Sequence, residues 1–275
     1  MKKRETETIE IDLLLEAIFR RYGYDFRHYA RASVERRVRH VLAKSGCVSI
    51  SEMIPRLLRD EEFFGRMVRD FSITVTQMFR DPFVYASIRE NVAPLLKTYP
   101  FVKAWHAGCA TGEEAYSLAI VLKEEGLYDR ATIFATDFND EALEKARGGI
   151  YPMDNIKQVT ADYRAAGGRG SFAEYYRARY DGVAIDGSLR KTMTFANHNL
   201  VTDGVFGEMH LILCRNVLIY FDRELQDRVL RLFDESLVRG GFLVLGTKET
   251  TCFSGIEDRY ETVDAKAKIF RRRES

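Results

Sequence analysis

The chain has 275 residues, 46% hydrophobic and 30% charged, with 19 glycines and five prolines, which excludes a low-complexity or collagen-like polymer. That length suits one large or two modest domains with a substantial core. Lys+Arg 42 against Asp+Glu 41 leaves a net charge of +1, so no global field draws the chain to nucleic acid or an anionic membrane.

The first residues, Met1-Lys2-Lys3-Arg4-Glu5, lead into an acidic amphipathic stretch rather than an apolar signal core. Ile11, Leu14, Leu15, Ile18 and Phe19 recur at helical spacing and predict a buried stripe. A second helix is expected over 31–44, with Val34, Val38, Val41 and Leu42 inward and Arg31, Arg36, Arg37, Arg39 and His40 on its other faces. Two more follow, from Ile50 to Leu58 and around Phe63–Phe71. Residues 1–80 hold 16 Lys+Arg and 12 Asp+Glu, and eight of the basic residues lie between Arg20 and Lys44, where the only acids are Asp25 and Glu35. That asymmetry points to a front module with an anionic partner. Residues 72–82 break the pattern as a linker into a helix that starts near Asp81-Pro82.

From residue 101 the pattern changes to strands alternating with helices. Strands are predicted at Phe101–Ala107, Ala131–Thr136, Met209–Cys214 and Phe242–Gly246, and helices at Gly112–Glu125, Asp140–Arg147 and Arg223–Val238. Such alternation means a parallel sheet covered on both faces. Tyr260–Val263 and Lys268–Arg271 suggest a closing antiparallel hairpin. Residues 150–191 are less regular, with Gly167-Gly168-Arg169-Gly170 as a flexible turn, and suggest an inserted subdomain. No uninterrupted apolar run approaches the ~20 residues of a bilayer span. Cys47, Cys109, Cys214 and Cys252 are scattered with no CxxC pair, which favours a reducing cytoplasm and neither a metal site nor disulfides.

The loop Trp105-His-Ala-Gly108-Cys-Ala-Thr-Gly112-Glu113-Glu114 runs from the first strand into a helix, where open α/β sheets bind ligands. Its G-x-x-x-G spacing is neither the dinucleotide fingerprint nor a phosphate-binding loop. Glu113 and Glu114 would repel a pyrophosphate; they suit a positive amino group, or serve only the helix dipole. Asp137 ends the second strand, where an acid binds both ribose hydroxyls, or caps the next helix. A nucleoside joined to an amino acid, with an acid for each end, describes S-adenosylmethionine.

Four blocks then carry a family resemblance: Thr74-Val-Thr76-Gln-Met-Phe-Arg80-Asp81; Trp105 to Ser117; Ala135-Thr-Asp137 with Gly149-Ile-Tyr151; and Cys214-Arg215-Asn216-Val-Leu-Ile-Tyr220-Phe221. Together the sequence resembles the CheR family of chemotaxis-receptor protein-glutamate O-methyltransferases, over nearly its whole length. The resemblance implies a class I S-adenosylmethionine methyltransferase fold, a seven-stranded mixed sheet. It also implies a small all-α N-terminal domain over 1–72, a methyltransferase domain over 73–275, and a small antiparallel β insertion at about 155–195. It places cofactor contacts at Thr74, Thr76, Arg80, Gly108, Glu114, Asp137, Asn199, Leu200, Cys214 and Arg215. Many members have Asn where this chain has Thr74. Without the resemblance, Cys214 reads as a buried core cysteine.

Methyl transfer to a glutamate that is already ionised at neutral pH needs no general base, so alignment and exclusion of water carry the chemistry. Arg80 and Tyr220 are the expected catalytic residues; the plain alternatives are an Arg80–Asp81 ion pair and a core aromatic at 220. Arg36, Arg37 and Arg39 are expected to dock the helical cytoplasmic region of a chemoreceptor. The β insertion is expected to take a receptor's C-terminal tail as an added strand. No nucleic-acid partner is expected, since no base-flipping motif occurs and the arginines are too few for a duplex track. Two other readings remain at this stage, a catalytically weak S-adenosylmethionine-binding adaptor of a two-component system and a nucleic-acid methyltransferase.

Overall fold

The computed structural model describes every residue except Met1, 73–75, Met153, Asp181, Phe253 and Ser275, with the side chains of Lys2 and Lys3 also left out. The chain divides into two compact units. One holds residues 1–73 together with 219–228, and the other holds 74–218 and 229–275.

The first unit is helical: α1 (Lys2–Tyr22), α2 (Arg31–Ser45), α3 (Ile50–Arg59) and α4 (Glu61–Phe71). Local chemistry sets their ends. Gly46 stops α2 at φ 74°, which a side chain would strain. Ser49 accepts from the Glu52 amide to start α3, and Asp60 accepts from the Phe63 amide to start α4. The apolar stripes meet inside, with Ile11, Leu14, Ile18, Met53 and Leu57 fully buried.

The segment 219–228 packs with these helices. Backbone bonds hold it there: Ala30 N donates to Tyr220 O at 2.8 Å, and Asp222 N to His28 O at 2.8 Å. The Tyr29 and Phe221 rings meet edge to face at 5.0 Å.

The second unit is a seven-stranded sheet: β1 (Val102–Ala107), β2 (Ala131–Asp137), β6 (Met193–Asn197), β7 (Met209–Cys214), β8 (Leu237–Leu245), β9 (Tyr260–Asp264) and β10 (Ile269–Arg272). The order is β6-β2-β1-β7-β8-β10-β9, with β10 antiparallel to both neighbours and the first five strands parallel. This is the strand order of the class I methyltransferase fold, and the chain switches direction between β1 and β7. Ligands of open sheets bind beyond the strand ends at such a switch. Ahead of β1 come α5 (Pro82–Ser87), continued through a π-turn into α6 (Ala93–Leu96), and the crossover helices include α7 (Glu113–Glu124), α8 (Asp140–Gly148) and α10 (Arg223–Ser236).

The insertion differs from its expected bounds. Its sheet is β3 (Ile150–Tyr151), β5 (Gly182–Ile185) and β4 (Tyr176–Arg179), paired antiparallel in that order, with α9 (Ile156–Ala165) between β3 and β4. It therefore begins before 155. Residues 193–195 belong instead to β6, because they pair with β2 and extend the main sheet. The glycine turn at 167–170 is anchored rather than loose. A Cβ at Gly168 would meet the Tyr163 ring at 2.3 Å, and Gly170 N donates to the Tyr163 hydroxyl at 3.0 Å.

Candidate active site

The loop from β1 to α7 forms the floor of the site. Gly108 sits at φ 71°, and a Cβ there would meet Val217 at 2.5 Å, so only glycine fits. Gly112 caps α7 at φ 91°, where a Cβ would come within 2.8 Å of the Ala146 Cβ. The two glycines let the loop pack directly against Val217 and Ala146 at the mouth of the switch point.

Asp137 ends β2 and is 9% exposed. Its Oδ2 accepts from Ala110 N at 2.9 Å and its Oδ1 from Asn139 N at 3.0 Å. Asn139, not Asp137, caps α8, accepting from the amides of Glu141 and Ala142. A further backbone bond, from Phe138, reaches the Asp137 carboxylate, which leaves part of its acceptor capacity for a hydroxyl. Burial raises its pKa, opposed by the backbone bonds. Asn199 and Leu200 follow β6 just beyond Asp137, since His198 N donates to Asp137 O at 3.1 Å. Leu200 is buried, and Asn199 holds its own loop by accepting from Val201 N at 3.0 Å.

On the β7 side, Arg215 has a fully buried side chain. Its Nη1 bonds Glu114 Oε2 and the Arg80 carbonyl, and its Nη2 bonds Asp81 Oδ2 at 2.7 Å. Tyr85 donates its hydroxyl to the same Glu114 oxygen at 3.3 Å. Asp81 is thus committed to Arg215 rather than to Arg80. Phe79 and Asp81 both take φ near +54°, at 53° and 54°, and are pinned by a Phe79 N bond to Ser117 Oγ at 2.9 Å. The half-buried Arg80 lies between these two anchors and makes no ion pair among the described residues. Thr76 is half-buried in the same loop, whereas Thr74 lies outside the described residues.

Cys214 is fully buried, so its thiol pKa is pushed well above the ordinary value and its side chain offers a ligand no ionised sulfur. Its core placement is the reading that the residue type alone favoured.

Two residues went unremarked in the sequence. Glu249 is 5% exposed and its Oε2 accepts from Asn216 N at 3.0 Å and Gly246 N at 2.6 Å, tying the ends of β7 and β8 together. His106, on β1, is buried 4.0 Å from Glu114 Oε2 with neither ring nitrogen bonded. Burial lowers its pKa to about 4, so the ring is neutral at physiological pH. Arg215 Nε and Asn216 Oδ1 are likewise buried without partners. Unmatched polar atoms beside a glycine floor and the buried Asp137 carboxylate fit a polar nucleoside ligand at the strand ends.

Glu113 accepts from the Thr111 hydroxyl at 2.7 Å, and burial raises its pKa to about 7. The folded protein therefore holds this proton up to about pH 7, while the unfolded chain releases it near 4.5. Stability from this group is complete below pH 4.5 and is lost as pH rises to about 7. Glu113→Gln is expected to flatten that fall and to raise the melting temperature above pH 7, measured by thermal melts across pH. An unchanged slope would show that Glu113 titrates normally.

Tyr220 is half-buried within the helical unit, its ring 5.1 Å from the Arg37 guanidinium. That contact corrects the expectation for Arg37. It is 6% exposed, donates to the Phe71 carbonyl, and does not project to a partner. Arg36 and Arg39 are exposed, but Arg39 pairs with Glu7 and Glu35 and Arg31 with Asp12 and Glu35. Acids of α1 thus neutralise much of the basic excess. Arg36 makes no ion pair among the described residues.

Comparison with known proteins decides the family. The sequence pattern of the CheR methyltransferase SAM-binding domain matches residues 74–269, and that of the CheR methyltransferase all-alpha domain matches residues 9–72. The chain belongs to the CheR methyltransferase family. It is 49% identical over 272 residues to Cher3 of Pseudomonas putida, provisionally named a methyltransferase, covering 99% of this chain and 100% of that protein. It is 29% identical over 229 residues to the chemotaxis protein methyltransferase of Listeria monocytogenes, covering 82% of this chain and 84% of that one. The N-methyltransferase NodS of Bradyrhizobium japonicum, solved with S-adenosyl-L-homocysteine, aligns at 13% identity over 71% of this chain and 88% of its own, with a TM-score of 0.39. This CheR-family chain is an S-adenosylmethionine-dependent methyltransferase. Among the described residues, no helix is long and apolar enough to cross a membrane.

Proposed function

We propose that this chain methylates glutamate side chains of chemoreceptors in a chemotaxis-type pathway, forming carboxyl methyl esters. The observation that carries this reading is the match to chemotaxis protein methyltransferases over both units of the chain. S-adenosylmethionine supplies a methyl group on a sulfonium, open to in-line attack by a carboxylate. Asp137 would accept the ribose hydroxyls as a charged acceptor, with the capacity that its backbone bonds leave. Gly108 would let the cofactor approach the chain, with Leu200 and Asn199 beside the adenine. Thr74 and Thr76 would contact the same ligand, with Cys214 lining it through backbone. Glu114, fixed by Arg215, would face the amino-acid end.

Arg80 is free to steer the substrate carboxylate, because Phe79 and Asp81 are anchored on either side of it. The Tyr220 hydroxyl would orient the reacting carboxylate. Tyr220→Phe is therefore expected to leave cofactor affinity unchanged and lower kcat about tenfold, roughly the 1.4 kcal/mol of one transition-state bond. Wild-type turnover in that variant would leave Tyr220 a structural aromatic.

The substrate class is tested directly. The chain is incubated with methyl-labelled donor and receptor-rich membranes, then treated with alkali. Label released as methanol identifies a carboxyl ester, alkali-stable label another acceptor, and no transfer a cofactor-binding adaptor.

Among the basic residues, Arg36 is the favoured docking cation, with Arg39 second because its charge is already matched. Arg36→Glu should raise KM for receptor about two- to tenfold at low salt and flatten the salt dependence, while cofactor affinity holds. Equal KM and salt slope in both proteins would remove α2 as the docking face. A receptor tail would add to β4, an edge of the three-stranded sheet whose residues 177–179 are exposed. The site of action would be cytoplasmic.

A further inference from the structure

We propose that the helical unit carries a binding site for a phosphorylated small molecule of mononucleotide size. A cavity of about 460 Å³ opens between the C-terminal end of α2 and the helices α3 and α4. That volume lies in the range of roughly 300–1,000 Å³ typical of small-ligand sites. Its floor is apolar: Val41, Phe63 and Met67, all below 5% exposed. Its rim carries Lys44, Arg56, Arg66 and Arg69 against one lining carboxylate, Asp70.

The two central arginines are held in place before any ligand arrives. The Arg56 guanidinium lies 4.5 Å from the Phe63 ring centre and that of Arg66 6.0 Å from it. Arg56 Nη1 also donates to the Ser45 carbonyl at 2.8 Å. Their acidic partners are weak competitors. Arg56 meets Asp60 at 3.5 Å, Arg66 meets Glu62 at 2.5 Å, and Lys44 meets Asp70 at 3.3 Å, all on partly exposed side chains. Such pairs contribute little in water, so a multiply charged ligand can displace them.

Guanidinium forks around a compact concavity match the oxygens of a phosphate, which takes parallel hydrogen bonds from each fork. A phosphate alone fills only part of a cavity of about 460 Å³, which leaves room for a further body. An acidic helix would need an extended basic stripe, whereas these cations ring a single hollow. The ligand class is therefore a phosphate ester whose body fits the rest of the cavity.

Calorimetric titration of the full chain tests this, with saturating S-adenosylhomocysteine present to block the nucleoside site of the other unit. Guanosine monophosphate and inorganic pyrophosphate are the probes. Saturable binding of either with Kd below about 1 mM, weakened at least about tenfold in R56Q/R66Q, supports the site. D70N should bind more tightly, a gain that a damaged fold would not produce. S-adenosylhomocysteine affinity should be equal in all three proteins. The proposal is overturned by no saturable heat from either probe, by binding that R56Q/R66Q and D70N leave unchanged, or by binding of a glutamate-rich peptide alone.

Discussion

Arg215→Met is expected to lower the stability of the sheet unit by about 3–5 kcal/mol, the scale of a broken buried ion pair. Arg215 joins three parts of the chain: Glu114 at the start of α7, Asp81 in the linker loop, and the Arg80 carbonyl. Removing it leaves Glu114, 2% exposed, as a buried carboxylate whose remaining partner is the Tyr85 hydroxyl. The neighbouring His106 brings no charge to the native cluster at neutral pH, because burial lowers its pKa to about 4. Urea unfolding without cofactor measures the loss. Adding Glu114→Gln to Arg215→Met should restore part of it, since the second change removes the stranded charge. A loss under about 1 kcal/mol, or a double variant weaker than the single, would show that the pair is solvated in solution.

The same cluster explains what the sequence disclosed and what it hid. The sheet was legible because buried parallel strands are continuous apolar runs between helical patterns, so Met209–Cys214 was read to the residue. Asp137 was legible because it closes such a strand. Arg215 was visible only through the family motif, since Glu114 and Asp81 lie 101 and 134 positions away along the chain. Helical spacing put Arg37 off the apolar stripe, but α2 is covered on a second side by the Phe71 carbonyl and the Tyr220 ring. Neutralisation of the basic residues was hidden for the same reason, because Glu7 and Asp12 reach them from another helix. The insertion's first strand is two residues long, too short for periodicity to register.

Asp137→Ala is expected to weaken S-adenosylhomocysteine binding by about 1–3 kcal/mol, or roughly 5- to 150-fold, through lost charge-assisted bonds to the ribose. The same substitution strands Ala110 N and Asn139 N, so some loss could come from a loosened loop. Asp137→Asn separates the two effects. Its amide oxygen can still accept from one backbone N–H, but it carries no charge and holds fewer lone pairs for hydroxyls. If ribose recognition is the role, Asn should keep most of the stability and still lose affinity. The 2′-deoxy analogue of S-adenosylhomocysteine supplies the matching change on the ligand. It should bind the wild type more weakly than the parent compound, and the gap should shrink in Asp137→Asn because the partner of that hydroxyl is already weakened. Calorimetry on the four combinations gives the coupling. An additive result, with the deoxy penalty undiminished in the variant, would place the ribose elsewhere and leave Asp137 as a brace for the β1–α7 loop.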